Sequence, residues 1–312
     1  MPEDNNDINN PHDSGYKYLL YSKKAFVQLI RSFVKTGWAE QVDEASLVRI
    51  DKTFILQDFK DKEADVVYKA KLKDQEVIFY VLMELQSTVD YLIPYRLLLY
   101  MTEIWRDIFK NVSENEAKKK SFRLPVIVPM VLYNGDANWS VPIEFKDTLG
   151  SADLFEDNVL NFKYILFDVQ KYEEEELLQL SNLIGSVFLI DKSSELEDII
   201  EQLKKLISII KNLESEEFRL FTNWAEKILT RDAPLKEKDK VTNFFKDTRP
   251  EEVEEMITNV ERVLKKSWED AENKGVEKGV VKGAKQMLIK GEPVEKIMKY
   301  TGLTKEEIEE LK

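Results

Sequence analysis

The sequence contains no cysteine and only one histidine, and these two absences exclude several kinds of functional site. A chain without cysteine has no disulfide, no thiolate nucleophile and no cysteine–zinc site, and its composition fits a reducing compartment. His12 is the only residue around which a Ser-His-Asp triad could form, and a metal site with several histidines is excluded. We expect His12 to lie in a disordered N-terminal segment and to have no catalytic role.

Long apolar segments are also missing. The longest apolar runs, Val77–Met83 and Val126–Tyr133, are far shorter than the roughly 20 residues that a membrane-spanning helix needs. The first residues, MPEDNNDINNPHDSG, are polar and acidic, which is the opposite of a signal peptide. We therefore expect a cytoplasmic protein.

Positive charge is scarce relative to negative charge. The chain has 46 lysines and arginines against 59 acidic residues, for a formal net charge of −13. Indiscriminate phosphate binding depends on clustered lysine and arginine, so the balance counts weakly against a nucleic-acid partner. A local basic patch can coexist with acidic helices, and a metal-dependent nuclease needs carboxylates for its metal.

Hydrophobic periodicity and turn residues predict an α/β core followed by helices. The predicted divisions are a disordered N-terminus (1–15), an α/β domain (16–170), a helical region (171–270) and a tail (271–312). The predicted elements of the α/β domain are helices over 16–35 and 91–110, strands over 48–57, 124–133 and 162–169, and two central strands between residues 63 and 86.

The tail repeats Lys-Gly every four residues, at Lys274-Gly275, Lys278-Gly279 and Lys282-Gly283. This spacing would align the glycines along one side of a helix and permit another helix to approach, but a frayed linker is the favoured interpretation, because each glycine costs a helix about 1 kcal/mol. Two short helices follow, divided at Thr301-Gly302, and Thr304 with Glu307 predicts a capping box for the second. The second helix is too acidic for a DNA-recognition helix, so a packing element is preferred.

The two central strands carry the candidate site. Asp65 precedes one apolar run and Glu84 ends the next, while Gln86 shares a strand face with Glu84 because side chains alternate. If the strands pair antiparallel around Lys73-Asp74, these three residues meet at one end of the sheet. Two carboxylates and a polar side chain would suit Mg²⁺ or Mn²⁺. Acids at strand ends that simply face solvent are the alternative interpretation.

Four segments then carry a resemblance to a known family. EADVVY, EVIFYVLMELQS, IPYRLLLYMTEIW and LPVIVPMVLYNGDANW, in this order and spacing, resemble the recombination-promoting nuclease/putative transposase family, also called Rpn or YhgA-like. That family belongs to the PD-(D/E)XK nuclease superfamily. The resemblance covers roughly residues 11–170, and the Lys-Gly units and final TGL…EEI helix pair are similar too. It implies a restriction-endonuclease-like, PD-(D/E)XK mixed-sheet core flanked by helices, an α-helical C-terminal region, and the activity of a Mg²⁺-dependent DNA endonuclease.

The family's site residues carry over position by position. Asp65 matches the motif aspartate and Glu84 the second acid, so both would bind the metal, with the backbone carbonyl of Leu85 as a further ligand. Gln86 stands where most of the superfamily has lysine. It would orient the attacking water, but glutamine offers no positive charge to the transition state.

Several further residues are candidates for secondary roles. Asp13 matches an acidic position near the family's N-terminus, and Glu63 lies two residues before Asp65. Arg96, Lys69 or Lys71 would supply the charge that Gln86 lacks.

Two other functions remain open. A nuclease-like domain without catalysis could bind nucleic acid or a protein partner, which the negative charge and the glutamine both favour slightly. Transposition with strand transfer is supported by the family name alone and needs a third acidic ligand. Apolar faces on the later helices also predict a homodimer, in which two single-strand cutters would make a double-strand break.

Overall fold

The computed structural model describes residues 11–50, 66–73, 75–84, 89–193, 195–230, 235–246 and 248–311. The chain divides into two compact units. Unit 1 comprises residues 1–231 and 248–254, and unit 2 comprises residues 232–247 and 255–312.

The strands are β1 (Val48–Arg49), β2 (Val66–Leu72), β3 (Gln75–Glu84), β4 (Val126–Tyr133) and β5 (Ile165–Asp168). The helices of unit 1 are α1 (Pro11–Leu20), α2 (Lys23–Phe33), α3 (Ile93–Asn111), α4 (Glu114–Ala117), α5 (Glu174–Leu180), α6 (Leu183–Asp191), α7 (Leu196–Lys205), α8 (Ile207–Lys211) and α9 (Ser215–Thr230). Four more helices follow, namely α10 (Leu235–Lys246), α11 (Val253–Ile289), α12 (Val294–Thr301) and α13 (Lys305–Glu310).

The described strands form one mixed sheet in the order β1-β2-β3-β4-β5. β1, β2 and β3 pair antiparallel, and β3, β4 and β5 run parallel. The predicted antiparallel pairing of the two central strands is confirmed, since Val66 pairs with Val81 and Leu72 with Gln75 across a turn at Lys73. The protein is therefore α/β with a mixed sheet, as the sequence predicted.

One face of the sheet packs against α3. Ile78, Tyr80 and Leu82 alternate along β3 and belong to the same buried cluster as Leu97 and Tyr100 of α3. The Tyr80 and Tyr100 rings stack with their centroids 5.1 Å apart. The alternation that predicted a half-buried strand thus positions α3 across the sheet.

The opposite face packs against α2. Phe79 lies with its ring centroid 5.7 Å from that of Phe26, and Tyr68 lies 4.6 Å from the same ring. The Tyr68 hydroxyl donates to the backbone carbonyls of Leu20 and Tyr21, at 3.0 and 2.9 Å, and so ties the end of α1 to β2.

The prediction of a single helix over residues 16–35 is wrong. α1 begins at Pro11 and ends at Leu20, and α2 begins at Lys23. Ser22 is the N-cap of α2, and its hydroxyl accepts a hydrogen bond from the Ala25 amide. A serine at this position satisfies one of the free N–H groups of a helix start, which favours a break over continuation.

Helices that follow the sheet in sequence pack onto α1 and α2 within unit 1. Tyr16 of α1 contacts Phe188 of α6 and Trp224 of α9 edge-on, with centroids 6.2 and 6.5 Å apart. Phe33 of α2 also packs on Phe188, at 5.0 Å. Unit 1 thus includes helices from beyond residue 170. The divisions placed at residues 170 and 270 stay predictions.

Unit 2 contains the Lys-Gly tail. α11 runs unbroken through it to Ile289, so the interpretation as a frayed linker is wrong. α12 and α13 close on the end of α11 through the buried side chains of Ala284, Ile297 and Ile308. The capping box at Thr304 and the division at Gly302, which has a φ of 73°, are confirmed.

Every helix in the described residues is too short or too polar to cross a membrane.

Candidate active site at one edge of the sheet

The carboxyl ends of three parallel strands meet at one edge of the sheet. Glu84, the last residue of β3, pairs in register with Tyr133, the last residue of β4, which pairs in turn with Asp168 at the end of β5. In α/β sheets this edge is where ligands are commonly bound. We call this row and the loops after it the carboxyl edge.

The structure positions some of the predicted site residues and leaves others undescribed. Asp65, Glu63, Leu85 and Gln86 lie outside the described residues. Glu84 is placed by its backbone alone, at the carboxyl edge.

Asp13 is likewise placed by its backbone alone. It lies in the first turn of α1, three residues before the buried Tyr16.

Arg96 is buried in α3, with 7% of its surface exposed. Its Nη1 donates to Asp90 Oδ2 at 2.9 Å, and Asp90 Oδ1 accepts the Leu92 amide at 2.9 Å. Asp90 therefore neutralises Arg96 and also caps the turn that leads into α3. This pair helps to fix the start of α3 at Ile93, nine residues after Glu84.

The other predicted cations are on β2. Lys69 Nζ lies 2.6 Å from Glu76 Oε1 of β3, towards the opposite end of the strand from Glu84. Lys71 is exposed two residues further along. The sheet register thus directs Lys69 to a cross-strand ion pair.

A buried carboxylate network lies beside the carboxyl edge, and sequence reasoning missed it. Asp191 ends the otherwise apolar helix α6 and is 9% exposed. Its Oδ2 accepts two hydrogen bonds, from the Tyr16 hydroxyl at 2.8 Å and from Asn134 Nδ2 at 2.9 Å. We call these three residues the Asp191 network. The sequence carried one signal for this network, an acidic residue at the end of an apolar helical run. Such a residue becomes buried with the helix, and a buried acid needs hydrogen-bond partners.

The Asp191 network joins three separate parts of unit 1. Asn134 directly follows the last residue of β4, and Tyr16 lies one turn after Asp13 in α1. Burial raises the pKa of Tyr16 well above its usual value of 10, and the negative charge of Asp191 raises it further. The hydroxyl therefore stays protonated and remains a donor, so α1 is held against the carboxyl edge.

Asp168, the third member of the row, is also buried, at 6% exposure, and its Oδ2 lies 3.2 Å from Lys171 Nζ. Tyr172 follows closely, and burial, together with the charges of Glu176 and Asp168, raises its pKa. Asp168 therefore forms an ion pair with Lys171 at this edge and lies beside Tyr133 on the neighbouring strand.

Exposed apolar side chains border the carboxyl edge. Tyr91, Leu92 and Tyr95, at the start of α3, are all more than half exposed. The Tyr91 hydroxyl lies 2.9 Å from Ser140 Oγ, in the loop that follows β4.

Across the part of the chain that the structure describes, no three acidic or histidine side chains form a group able to hold a metal ion. A metal site at the carboxyl edge would therefore need Asp65 and its neighbours, whose side chains fall outside that part. The donor set predicted there, two carboxylates and a backbone carbonyl, has the hard oxygen chemistry that Mg²⁺ prefers.

Comparison with known proteins places the chain. The family model described as "Putative transposase, YhgA-like" matches residues 10–220, which include the whole sheet and α1 to α9 up to residue 220. The chain belongs to the YhgA-like family. The resemblance carried by its central segments is thereby confirmed.

Two curated relatives of this YhgA-like chain match it over nearly its full length, and a third matches 64% of it. It is similar to the recombination-promoting nuclease RpnA of Escherichia coli K12, with 22% identity over 96% of each chain. It is also similar to the inactive recombination-promoting nuclease-like protein RpnE of the same strain, with 21% identity over 96% of each chain. The recombination-promoting nuclease RpnC matches with 22% identity over 64% of each chain. No solved structure gives a significant match.

Proposed function

We propose that this protein is a metal-dependent DNA endonuclease of the PD-(D/E)XK type that hydrolyses phosphodiester bonds at the carboxyl edge. The observation that carries the proposal is the antiparallel register of β2 and β3, which brings the start of β2 to the end of β3 where Glu84 lies. Relatives named recombination-promoting nucleases support a nuclease role.

We infer that the pairing seen at Val66↔Val81 continues in the same register, which would bring Asp65 opposite Leu82 and Glu63 opposite Glu84. Opposed residues in an antiparallel pair lie on one face, with their Cα atoms about 5 Å apart. Because Leu82 faces α3, the proposal predicts that Asp65, Glu63 and Glu84 share this face. Three acids at this spacing can converge on one cation.

Mg²⁺, or Mn²⁺ in its place, would be held by Asp65, Glu84 and the carbonyl of Leu85, with Glu63 and Asp13 as further acids nearby. When bound, the ion would lower the pKa of its coordinated water and would provide positive charge beside the phosphate oxygens. The amide of Gln86 orients the attacking water by hydrogen bonding.

The first test is cleavage of supercoiled plasmid with Mg²⁺, with Mn²⁺ and with EDTA. Metal-dependent nicking is expected from the wild type and is expected to be lost in Asp65→Asn and Glu84→Gln. Glu76→Gln is the matched control, since it removes one acid from the other, exposed end of β3 and should nick normally. Equal cleavage by all four proteins would show that the site has been misplaced or that the activity is a contaminant.

A second function is favoured by one observation, the full-length similarity to RpnE, which is named as inactive. On this alternative the domain binds nucleic acid or a protein without cutting. Absence of cleavage by the wild type in either metal, together with absence of millimolar metal binding, would select it.

The endonuclease proposal includes a homodimer formed through the C-terminal helices, which would allow paired nicks to become a double-strand break. A monomeric mass in light scattering at micromolar concentration would count against this part.

A further inference from the structure

The second half of α11 carries three lysines on one side, and we call Lys278, Lys282 and Lys285 the lysine stripe. All three are exposed. At 100° per residue they fall within about 60° of helix surface, and the first and last lie roughly 10 Å apart along the axis. The buried Ala284 belongs to a different side of the helix. The stripe therefore faces away from the packing of α12 and α13.

Within the described residues these lysines have no ion-pair partner, in contrast to two other lysines of the same unit. Lys265 pairs with Glu261 at 2.8 Å and Lys296 pairs with Glu292 at 2.8 Å, both four residues apart. In the stripe the residue four positions earlier is another lysine or a valine. An acidic residue at those positions would have neutralised the stripe lysines within the helix, and the sequence has none there.

Bare helix backbone lies next to the stripe. Gly275, Gly279 and Gly283 each precede or follow a lysine by one position, and a Cβ added at any of them would meet nothing within 4 Å. The helix bears the propensity cost of three glycines without any close packing in unit 2 that needs them. The glycine arc leaves room for a bulky partner to approach the lysines.

Charge is concentrated at this segment. Residues 274–290 contain five lysines and one glutamate, a net charge of +4, so the remainder of the chain carries −13 − 4 = −17. A cationic strip in so acidic a protein selects a polyanion with regularly spaced charges, and the phosphate backbone of duplex DNA has that character.

We propose that the lysine stripe binds the phosphate backbone of duplex DNA without reading its sequence. The inference rests on the proposed function for the identity of the polyanion, and it adds a binding surface separate from the residues assigned to cleavage. Lysine suits this role because its ammonium is a point charge on a flexible stem, which tolerates variable phosphate positions.

The test is binding of a fluorescent DNA duplex in EDTA, measured by anisotropy between 50 and 200 mM salt. Each phosphate contact contributes about 0.9 to the slope of log affinity against log salt, so the variant K278Q/K282Q/K285Q should lose about 2.7 from the slope. Between 50 and 200 mM salt, the factor by which affinity falls should therefore be roughly 40 times larger for the wild type than for the variant. Glutamine has nearly the same helix propensity as lysine, so the fold should be retained, as circular dichroism can verify.

The matched control is K296Q/K299Q/K305Q, which removes the same charge from α12 and α13 in the same unit. An equal fall in slope for both variants would overturn the proposal, because net charge rather than the stripe would then be responsible. An unchanged slope for the stripe variant would overturn it as well. A change in the light-scattering mass of the stripe variant with normal DNA binding would overturn the proposal and assign the surface to self-association of this chain.

Failure of this inference is distinguishable from failure of the proposed function. Binding in EDTA is independent of catalysis. If Glu84→Gln abolishes nicking while K278Q/K282Q/K285Q leaves the salt dependence of DNA binding unchanged, only the DNA-binding role of the lysine stripe is refuted. A stripe-dependent slope without any metal-dependent nicking would retain the DNA surface and refute the endonuclease.

Discussion

The Asp191 network allows a quantitative test of how the fold holds α1 against the carboxyl edge. Tyr16→Phe removes only the hydroxyl that donates to Asp191 Oδ2 at 2.8 Å, and the ring can keep its contacts with Phe188 and Trp224. A hydrogen bond to a charged group contributes about 1.5–3 kcal/mol to the free energy of unfolding. We therefore expect Tyr16→Phe to lower the stability of the protein by about 2 kcal/mol.

Tyr68→Phe is a matched comparison because Tyr68, like Tyr16, is fully buried in unit 1. Its hydroxyl donates to two neutral carbonyls, those of Leu20 and Tyr21, instead of to a carboxylate. The single hydroxyl proton is shared between these two acceptors, so they count as one neutral hydrogen bond of about 1 kcal/mol, and this substitution should destabilise less than Tyr16→Phe. The two variants differ mainly in the charge of the acceptor.

Urea denaturation followed by circular dichroism and tryptophan fluorescence measures both changes, with the two probes reporting whether the units unfold together. For a unit of this size each 1 kcal/mol corresponds to about 2–4 °C in melting temperature. Both tyrosines have a pKa raised by burial, to about 12 for Tyr68. The contribution of each protonated hydroxyl to the free energy of unfolding is fully present below pH 10 and is lost as pH rises through the pKa of the folded state. If Tyr16→Phe costs less than Tyr68→Phe at pH 7, Asp191 is not the charged centre of the network.

Two further predictions concern other parts of the chain. Gly279→Ala should stabilise α11 by about 0.5–1 kcal/mol, because alanine has the higher helix propensity and its Cβ meets nothing, and a lower melting temperature for unit 2 would contradict this. The Lys163 hydrogen bond lowers the pKa of Glu144 to about 2, so this ion pair favours the folded state above pH 4.5 and its contribution is lost as pH falls towards 2. NMR titration of the Glu144 carboxylate should show this midpoint move up towards 4.5 in Lys163→Gln, and an unmoved midpoint would exclude Lys163 as the cause.

The elements that the sequence predicted well are those governed by local periodicity. Alternation along β2 and β3 with a polar turn between them predicted the hairpin, and the apolar run over 124–133 predicted β4 nearly to the residue. Thr304 and Glu307 predicted a capping box because both partners lie within one helical turn. Such patterns involve residues a few positions apart, so they can be read without knowledge of the fold.

The features that the sequence did not reveal depend on contacts between distant residues. Tyr16 and Asp191 are 175 positions apart, and Asn134 and Asp191 are 57 apart, so no local pattern connects them. The break at Ser22 had a local signal, yet apolar residues continue on both sides of it, and these concealed the cap. Local hydrophobic periodicity alone cannot distinguish one long helix from two helices that share a buried face.

The described residues limit which side chains could provide the positive charge that phosphodiester cleavage needs. Glutamine at position 86 cannot supply it, and the structure pairs Arg96 with Asp90 and Lys69 with Glu76. Two cations that the sequence offered as substitutes therefore already have acidic partners, and releasing Arg96 would leave Asp90 uncompensated beside the start of α3. Catalysis at the carboxyl edge would then depend on metal charge more than it does where the superfamily has lysine. A site with so little cationic support would be sensitive to the loss of a single ligand, which is why substitution of Asp65 or Glu84 alone is expected to abolish cleavage.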